Sequence, residues 1–257
     1  MKYIFFILCS FTLVSCAPFY YIPNQLNMPL ANEAKDSKIA LYTGTGGWGG
    51  EASYALNSHM LILANGIYNN FSTIGRNQTF SYDAGGGYYR TLEYNLNLEV
   101  IGGIGYGRTD ADIKIAPFFS AGGENEEDIL HSSYTRCFFQ VDLSRTNWKG
   151  VVIGYGLRIG AIFPEDFSYR QILSTTHFVG NGGQSPTTII SDNTINSAEI
   201  GFFAEPAIQF SKYVGTHTYF HSSIGISYCT NQNMVYGYTS NIITWPLMAT
   251  LGFTFVF

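Results

Sequence analysis

Read in steps of two, the segment from Pro246 to Phe257 separates into two rows. Leu247, Ala249, Leu251, Phe253, Phe255 and Phe257 are all apolar, whereas Pro246, Met248, Thr250, Gly252, Thr254 and Val256 are smaller and more polar. A period of two marks a β-strand with one apolar face. The same alternation recurs upstream and predicts ten strands, near residues 38–46, 49–57, 59–69, 80–91, 94–107, 132–143, 150–163, 198–210, 216–229 and 246–257. The longer ones match the roughly 9–11 residues that a tilted strand needs to cross a hydrocarbon layer.

The connections alternate in length. Short ones fall at Asn57-Ser58-His59, Thr91-Leu92-Glu93, Ser144–Lys149 and Ser211–Gly215, and longer ones at 70–79, 108–131, 164–197 and 230–245. Short turns at one end and long loops at the other are the layout of an up-and-down barrel. A loop as long as 164–197 would be out of place in a compact soluble domain. The fold class expected is therefore all-β: an antiparallel up-and-down transmembrane β-barrel of about ten strands over residues 38–257. The connection near Gly46–Gly50 is unusually tight, and without it eight strands would remain. An even number puts both chain ends at the short-turn side.

Facing follows from the alternation. Leu96, Leu98, Val100, Ile104 and Tyr106 are expected to face lipid, with Asn95, Asn97, Glu99, Gly103 and Gly105 inward. Ile153, Tyr155, Leu157 and Ile159 face out, with Gly154, Gly156, Arg158 and Gly160 inward. On the eighth strand Ile200, Phe202, Ala204 and Ile208 face out and Glu199, Phe203, Glu205 and Gln209 in. On the ninth, Phe220, Ile224 and Ile226 face out, and His217, Tyr219, His221 and Ser223 in. Hardly any charge falls on a mid-membrane lipid face, where Arg or Lys would cost about 2–4 kcal/mol. Tyr88, Tyr94, Trp148 and Trp245 fall near strand ends, as an interfacial girdle requires.

Composition supports the same class. Charged residues are 12% and aromatics 16%, and glycine occurs 28 times. Soluble domains carry roughly 25% charged residues. Beyond the N-terminal segment no apolar run is long enough for a membrane helix. A net charge of −5 gives no electrostatic case for nucleic acid.

At the N-terminus, Lys2 and the apolar stretch Tyr3–Val14 read as a targeting segment, too short to span a bilayer comfortably. Leu13-Val14-Ser15-Cys16 resembles the lipobox of bacterial lipoproteins. That resemblance implies a signal peptide over 1–15 and a lipidated Cys16 as the mature N-terminus. Residues 16–37, with three prolines and no period, read as a periplasmic linker from lipid to barrel. The aromatic last strand, closing on Phe257, resembles the assembly signal of bacterial outer-membrane β-barrels. The two resemblances together imply a lipid-anchored outer-membrane protein with both termini periplasmic. Its implied partners are outer-membrane lipids, the barrel-assembly machinery and an outer-membrane protein. Cys137 and Cys229 fall on strands not expected to be neighbours, so no disulfide is expected between them.

The inward charges are the candidate functional residues. Glu99, Arg136, Arg158 and Glu205 lie on successive strands, with Glu51, Asp83, Glu199, His217 and His221 close enough in the pattern to join them. Guanidinium matches carboxylate two oxygens at a time, so an acid–Arg–Arg–acid belt is expected across the lumen. It is read as a plug, with inward glycines making room for long neighbours. The alternative is the selectivity filter of a narrow channel for small solutes. His217 and His221 are read as hydrogen-bonded fillers rather than metal ligands, and no cofactor or metal is expected.

Gly103-Ile104-Gly105-Tyr106-Gly107 is mid-strand wall, not a phosphate loop, which would have to open a helix. Glu124, Glu126, Glu127, Asp128, Asp110 and Asp112 lack calcium-loop spacing. Ten-stranded outer-membrane proteases of the omptin type use Asp and His at the outer rim. Here Asp110, Asp112, Asp128, His131, Asp166 and His177 lie near that rim, but no omptin motif is evident. The leading reading is a non-enzymatic structural or accessory barrel that contacts a partner. The channel and then a rim-sited hydrolase stand behind it.

Overall fold

The computed structural model describes residues 21, 23–26, 28–29, 31, 33–71, 75–115, 125–147, 150–175, 178–179, 183–184, 188–196, 199–230 and 247–257. The signal peptide, Cys16, Trp148, His177 and Trp245 lie outside them, as does Glu124.

Ten antiparallel strands close into a barrel. They are β1 (Ser37–Gly44), β2 (Gly47–Ala55), β3 (Met60–Phe71), β4 (Gly75–Leu92), β5 (Leu96–Ile115), β6 (Asn125–Thr146), β7 (Val151–Thr175), β8 (Gly201–Tyr213), β9 (Thr218–Ile226) and β10 (Leu247–Val256). Each pairs with the next, and β10 closes on β1 through partners such as Leu41 with Phe253. The register also fixes the stagger. One line of cross-strand partners leaves Gly201 and passes through Ile162, Arg136, Gly105, Asp83, Asn65, Glu51, Ala40, Thr254 and Tyr219. It returns to β8 at Tyr213, a shear of twelve residues from Gly201 to Tyr213. Stagger of that kind goes with strands tilted by roughly 35–45°.

The β2–β3, β4–β5, β6–β7 and β8–β9 connections are short and gather at one end with Ser37 and Phe257, here called the turn end, whereas the tight β1–β2 turn at 45–46 lies at the other. Asx-type bonds shape two of them: Asn57 Oδ1 accepts from His59 N and Met60 N, and Asn147 Oδ1 from Val151 N. His217, expected on the inner face of the ninth strand, instead lies exposed in the 214–217 turn. Its carbonyl accepts from Val256 N at 2.9 Å. Glu199 likewise precedes β8 and is exposed.

At the opposite, loop end, β4 to β7 run well past their expected limits. The polar outward residues there break the apolar alternation, which is why the sequence reads as loop. The inner row continues regardless, with Thr109, Ala111, Leu130, Phe167 and Tyr169 buried. A β-bulge at Glu165, where Ser133 opposes Asp166 and Tyr134 opposes Pro164, keeps Phe167 and Tyr169 turned inward. An extra strand, Thr188–Ile195, extends this wall by pairing with β7 between Tyr169 and Thr175. Among the described residues the wall is thus taller along β4–β7 than along β8, β9, β10, β1 and β2.

The outward face carries an apolar band of the expected height. On β8 it runs from Phe202 to Phe210 before Lys212, and on β4 from Phe80 to Tyr88 before Arg90. Several of its large side chains, Leu41, Ile104, Tyr155, Phe202 and Leu251 among them, are more than half exposed. Cys137 faces outward in this band and Cys229 is buried, and no disulfide joins them.

The principal departure from expectation concerns residues 21–31. Read as a linker outside the barrel, their described members instead run inside it, all buried. Eight strands enclose just enough room for side chains, and ten leave space for a strap of polypeptide. A turn over 33–36 at the turn end joins this strap to β1, with Lys35 N donating to Ala55 O and Ala55 N to Asp36 O. The strap therefore lies antiparallel to β1.

Candidate functional site

The inward side chains meet the strap in one buried network. Asp83 on β4 and Arg136 on β6 are two strands apart, and Gly105 lies between them in the register. A side chain at Gly105 would collide with both: its Cβ would sit 2.0 Å from Asp83 Oδ1 and 2.9 Å from Arg136 Nε. Through that gap Arg136 donates twice, Nε to Oδ1 at 2.7 Å and Nη2 to Oδ2 at 2.6 Å. Arg158 Nη1 reaches the same carboxylate at 3.2 Å and Glu205 Oε2 at 3.5 Å. All four side chains are fully buried. The Arg158 guanidinium also lies over the Phe138 ring, 4.8 Å from its centre.

Tyr21 completes the ring. Its hydroxyl accepts from Arg136 Nη1 at 2.7 Å and donates to Glu205 Oε1 at 2.6 Å. Its ring packs on Phe203 and Tyr134. Toward the turn end, Asn24 Nδ2 donates to Asp83 and to Asn65, and Asn65 Nδ2 to the Gln25 carbonyl. Leu26 fills the notch over Gly156, where a Cβ would lie 2.0 Å from its Cδ2. Nearest the turn end Ala31 N donates to Glu99 Oε1 at 2.8 Å, and Lys38 Nζ to the Pro29 carbonyl. Beside Met28 and Pro29 a cavity of about 50 Å³ remains, lined by Lys38, Glu51, Asn97, Gln209 and Ser211 among others.

Of the sequence candidates, the structure brings Arg136, Arg158 and Glu205 together. Glu99 lies nearer the turn end and binds the strap. The acid that Arg136 takes is Asp83, which the alternation gave only as a secondary member. The signal that could have promoted it is the register, since only pairing shows that Gly105 bridges Asp83 and Arg136. His221 is buried on β9, with Nδ1 2.9 Å from Thr254 Oγ1 and its ring edge-on to Tyr42. Tyr21 and Asn24 were missed because a segment without period carries no facing information. Gly105→Val tests the gap directly. It is expected to lower unfolding stability by about 3 kcal/mol, through overpacking and a broken buried ion pair, measured by urea titration in vesicles.

The rim residues are arranged differently. Arg108, Asp110 and His131 face outward above the apolar band, with Arg108 Nε 2.8 Å and His131 Nδ1 2.9 Å from Asp110. The Arg108 hydrogen bond holds the Asp110 carboxyl below its usual range, and the His131 bond adds to this. Asp128 is turned inward and accepts from the Tyr169 hydroxyl. Phe257 is exposed at the turn end, its backbone N–H bonded to Ser37 O.

No family model matches this chain. No curated protein matches it either. Among solved structures, the β domain of the Bordetella autotransporter BrkA is 8% identical with a TM-score of 0.37, over 88% of this chain and 100% of that one. The Pseudomonas putida toluene transporter TodX is 8% identical with a TM-score of 0.37, over 93% and 94%. Acinetobacter baumannii CarO is 8% identical with a TM-score of 0.28, over 90% and 100%. These neighbours are bacterial outer-membrane β-barrels. For this chain the closed barrel stands on its own strand pairing.

Proposed function

We propose that this chain is a plugged barrel of the bacterial outer membrane: a non-enzymatic structural or accessory component, anchored by its strands and by a lipid on Cys16. The observation that carries this reading is the buried belt of charged side chains inside the barrel. Asp83, Arg136, Arg158 and Glu205 bridge the lumen at one level, with Tyr21 of the strap bonded among them. A channel needs a continuous wet path, and a fully buried belt opposes one. The exposed apolar band, bounded on β4 and β8 by Arg90 and Lys212, supports membrane placement. The turn end, with Phe257, faces the periplasm. Phe257 closes an aromatic strand for the assembly machinery to recognise, and the tall wall of β4–β7 is the surface offered to a protein partner.

Two measurements on the full chain test this. In planar bilayers the purified protein is expected to show no resolvable conductance steps. Purification in mild detergent is expected to carry a stoichiometric partner, identified by mass spectrometry. A steady ohmic conductance from the intact chain would replace the plug with the channel reading.

A further inference from the structure

The strap has a direction, and the direction decides where the N-terminus emerges. Its C-terminal end lies at the turn end, where Ala31 binds Glu99 and residues 33–36 turn into β1. Its first described residue, Tyr21, lies far along the lumen. On the β5 scale, Glu99 pairs with Asp142 and Gly105 with Arg136, so six residues, roughly 20 Å along the strand, separate the two contacts. Tyr21 also stacks on Phe203, with ring centres 5.3 Å apart. Phe203 is only two residues from Gly201, the loop-end start of β8 on the low side of the barrel. Tyr21 is therefore level with the loop-end start of β8. The way back is filled by the strap's own buried residues and by the belt.

We infer that the N-terminal segment threads the barrel, so that Cys16 lies on the opposite side of the membrane from Phe257 and the short turns. This rests on the orientation and anchor given under the proposed function, and it moves the lipid from the inner leaflet to the cell-surface leaflet. The reach is adequate. Five extended residues from Tyr21 to Cys16 span up to about 17 Å. The edge they must clear is the start of β8, where the apolar band opens with exposed Ile200 and Phe202. An acyl group carried over that edge meets apolar wall at once.

The test is labelling of single cysteines on cells with a membrane-impermeant maleimide, in a Cys137→Ser, Cys229→Ser background of the full chain. Pro18→Cys probes the segment before the strap, and Ser58→Cys, in an exposed turn, probes the turn end. Pro18→Cys is expected to label on intact cells, and Ser58→Cys only after the outer membrane is permeabilised. Labelling of both only after permeabilisation would overturn the threading. So would a Pro18→Cys that reacts only when denatured, because the segment would then end inside the lumen. The reverse pattern, with Ser58→Cys labelled on intact cells and Pro18→Cys only after permeabilisation, would uphold the threading and overturn the proposed orientation. The intact mass of the same sample reads the anchor separately, as a lipid-sized increment on a chain that starts at Cys16.

Discussion

Asp83→Ala is expected to cost about 3–5 kcal/mol of folding stability, the range for a buried ion pair that loses one partner. The reason is the number of donors converging on one carboxylate. Arg136 gives two hydrogen bonds, Arg158 Nη1 gives a third, and Asn24 of the strap a fourth. Without Asp83 the two guanidiniums keep their positive charges buried, with Glu205 as the remaining carboxylate of the belt. Neither can reach water without unravelling the wall. The measurement is urea unfolding in lipid vesicles, followed by tryptophan fluorescence. Asn65→Ala serves as the comparison, because it removes neutral hydrogen bonds to the same strap, each worth about 1 kcal/mol. If charge burial is the cause, Asp83→Asn combined with Arg136→Gln should recover most of the loss. An Asp83→Ala protein within about 0.5 kcal/mol of the wild type, the scatter of neutral surface changes, would remove the belt from the account of stability.

The barrel was readable from the sequence for a physical reason. A wall with lipid on one face and a lumen on the other imposes a period of two, and all ten strands were legible through it. What the period does not encode was missed. It stops reporting where the outward face becomes polar, so β4–β7 were cut short at residues such as Arg108 and Asp110, although Thr109 and Ala111 continue the inner row. It places side chains on a face without saying which meet. The belt is expected to take its acids from Glu99 and Glu205, with Asp83 only as a further member, but register and the gap at Gly105 give Arg136 Asp83. His217 follows the alternation of β9 but lies one residue beyond the end of that strand, where alternation has no force. The strap left no periodic trace, since the described residues of 21–31 form no strand and bind through single side chains and isolated backbone groups.

Removing the strap is expected to convert a silent barrel into a conducting one. Deletion of residues 17–31 takes away Tyr21, Leu26 and Met28, each buried, along with the Asn24 bonds to Asp83 and Asn65. The belt that stays behind is a single layer. Above it Tyr134 and Phe203 lose the ring packed between them, and below it Gly154 and Gly156 face an emptied lumen. Glycines that made room for Met28 and Leu26 then become open space that water enters. Single-channel steps should appear in planar bilayers under conditions where the intact chain gives none. Should the deletion assemble poorly, a protease site placed in the exposed 33–36 turn allows the strap to be severed after folding. Severing alone leaves its side-chain bonds in place, so conductance should follow only when urea below the unfolding midpoint releases the strap. A strapless barrel that stays silent would show that the wall's own side chains seal the lumen, and that the strap's role is to fix the N-terminus rather than to close a pore.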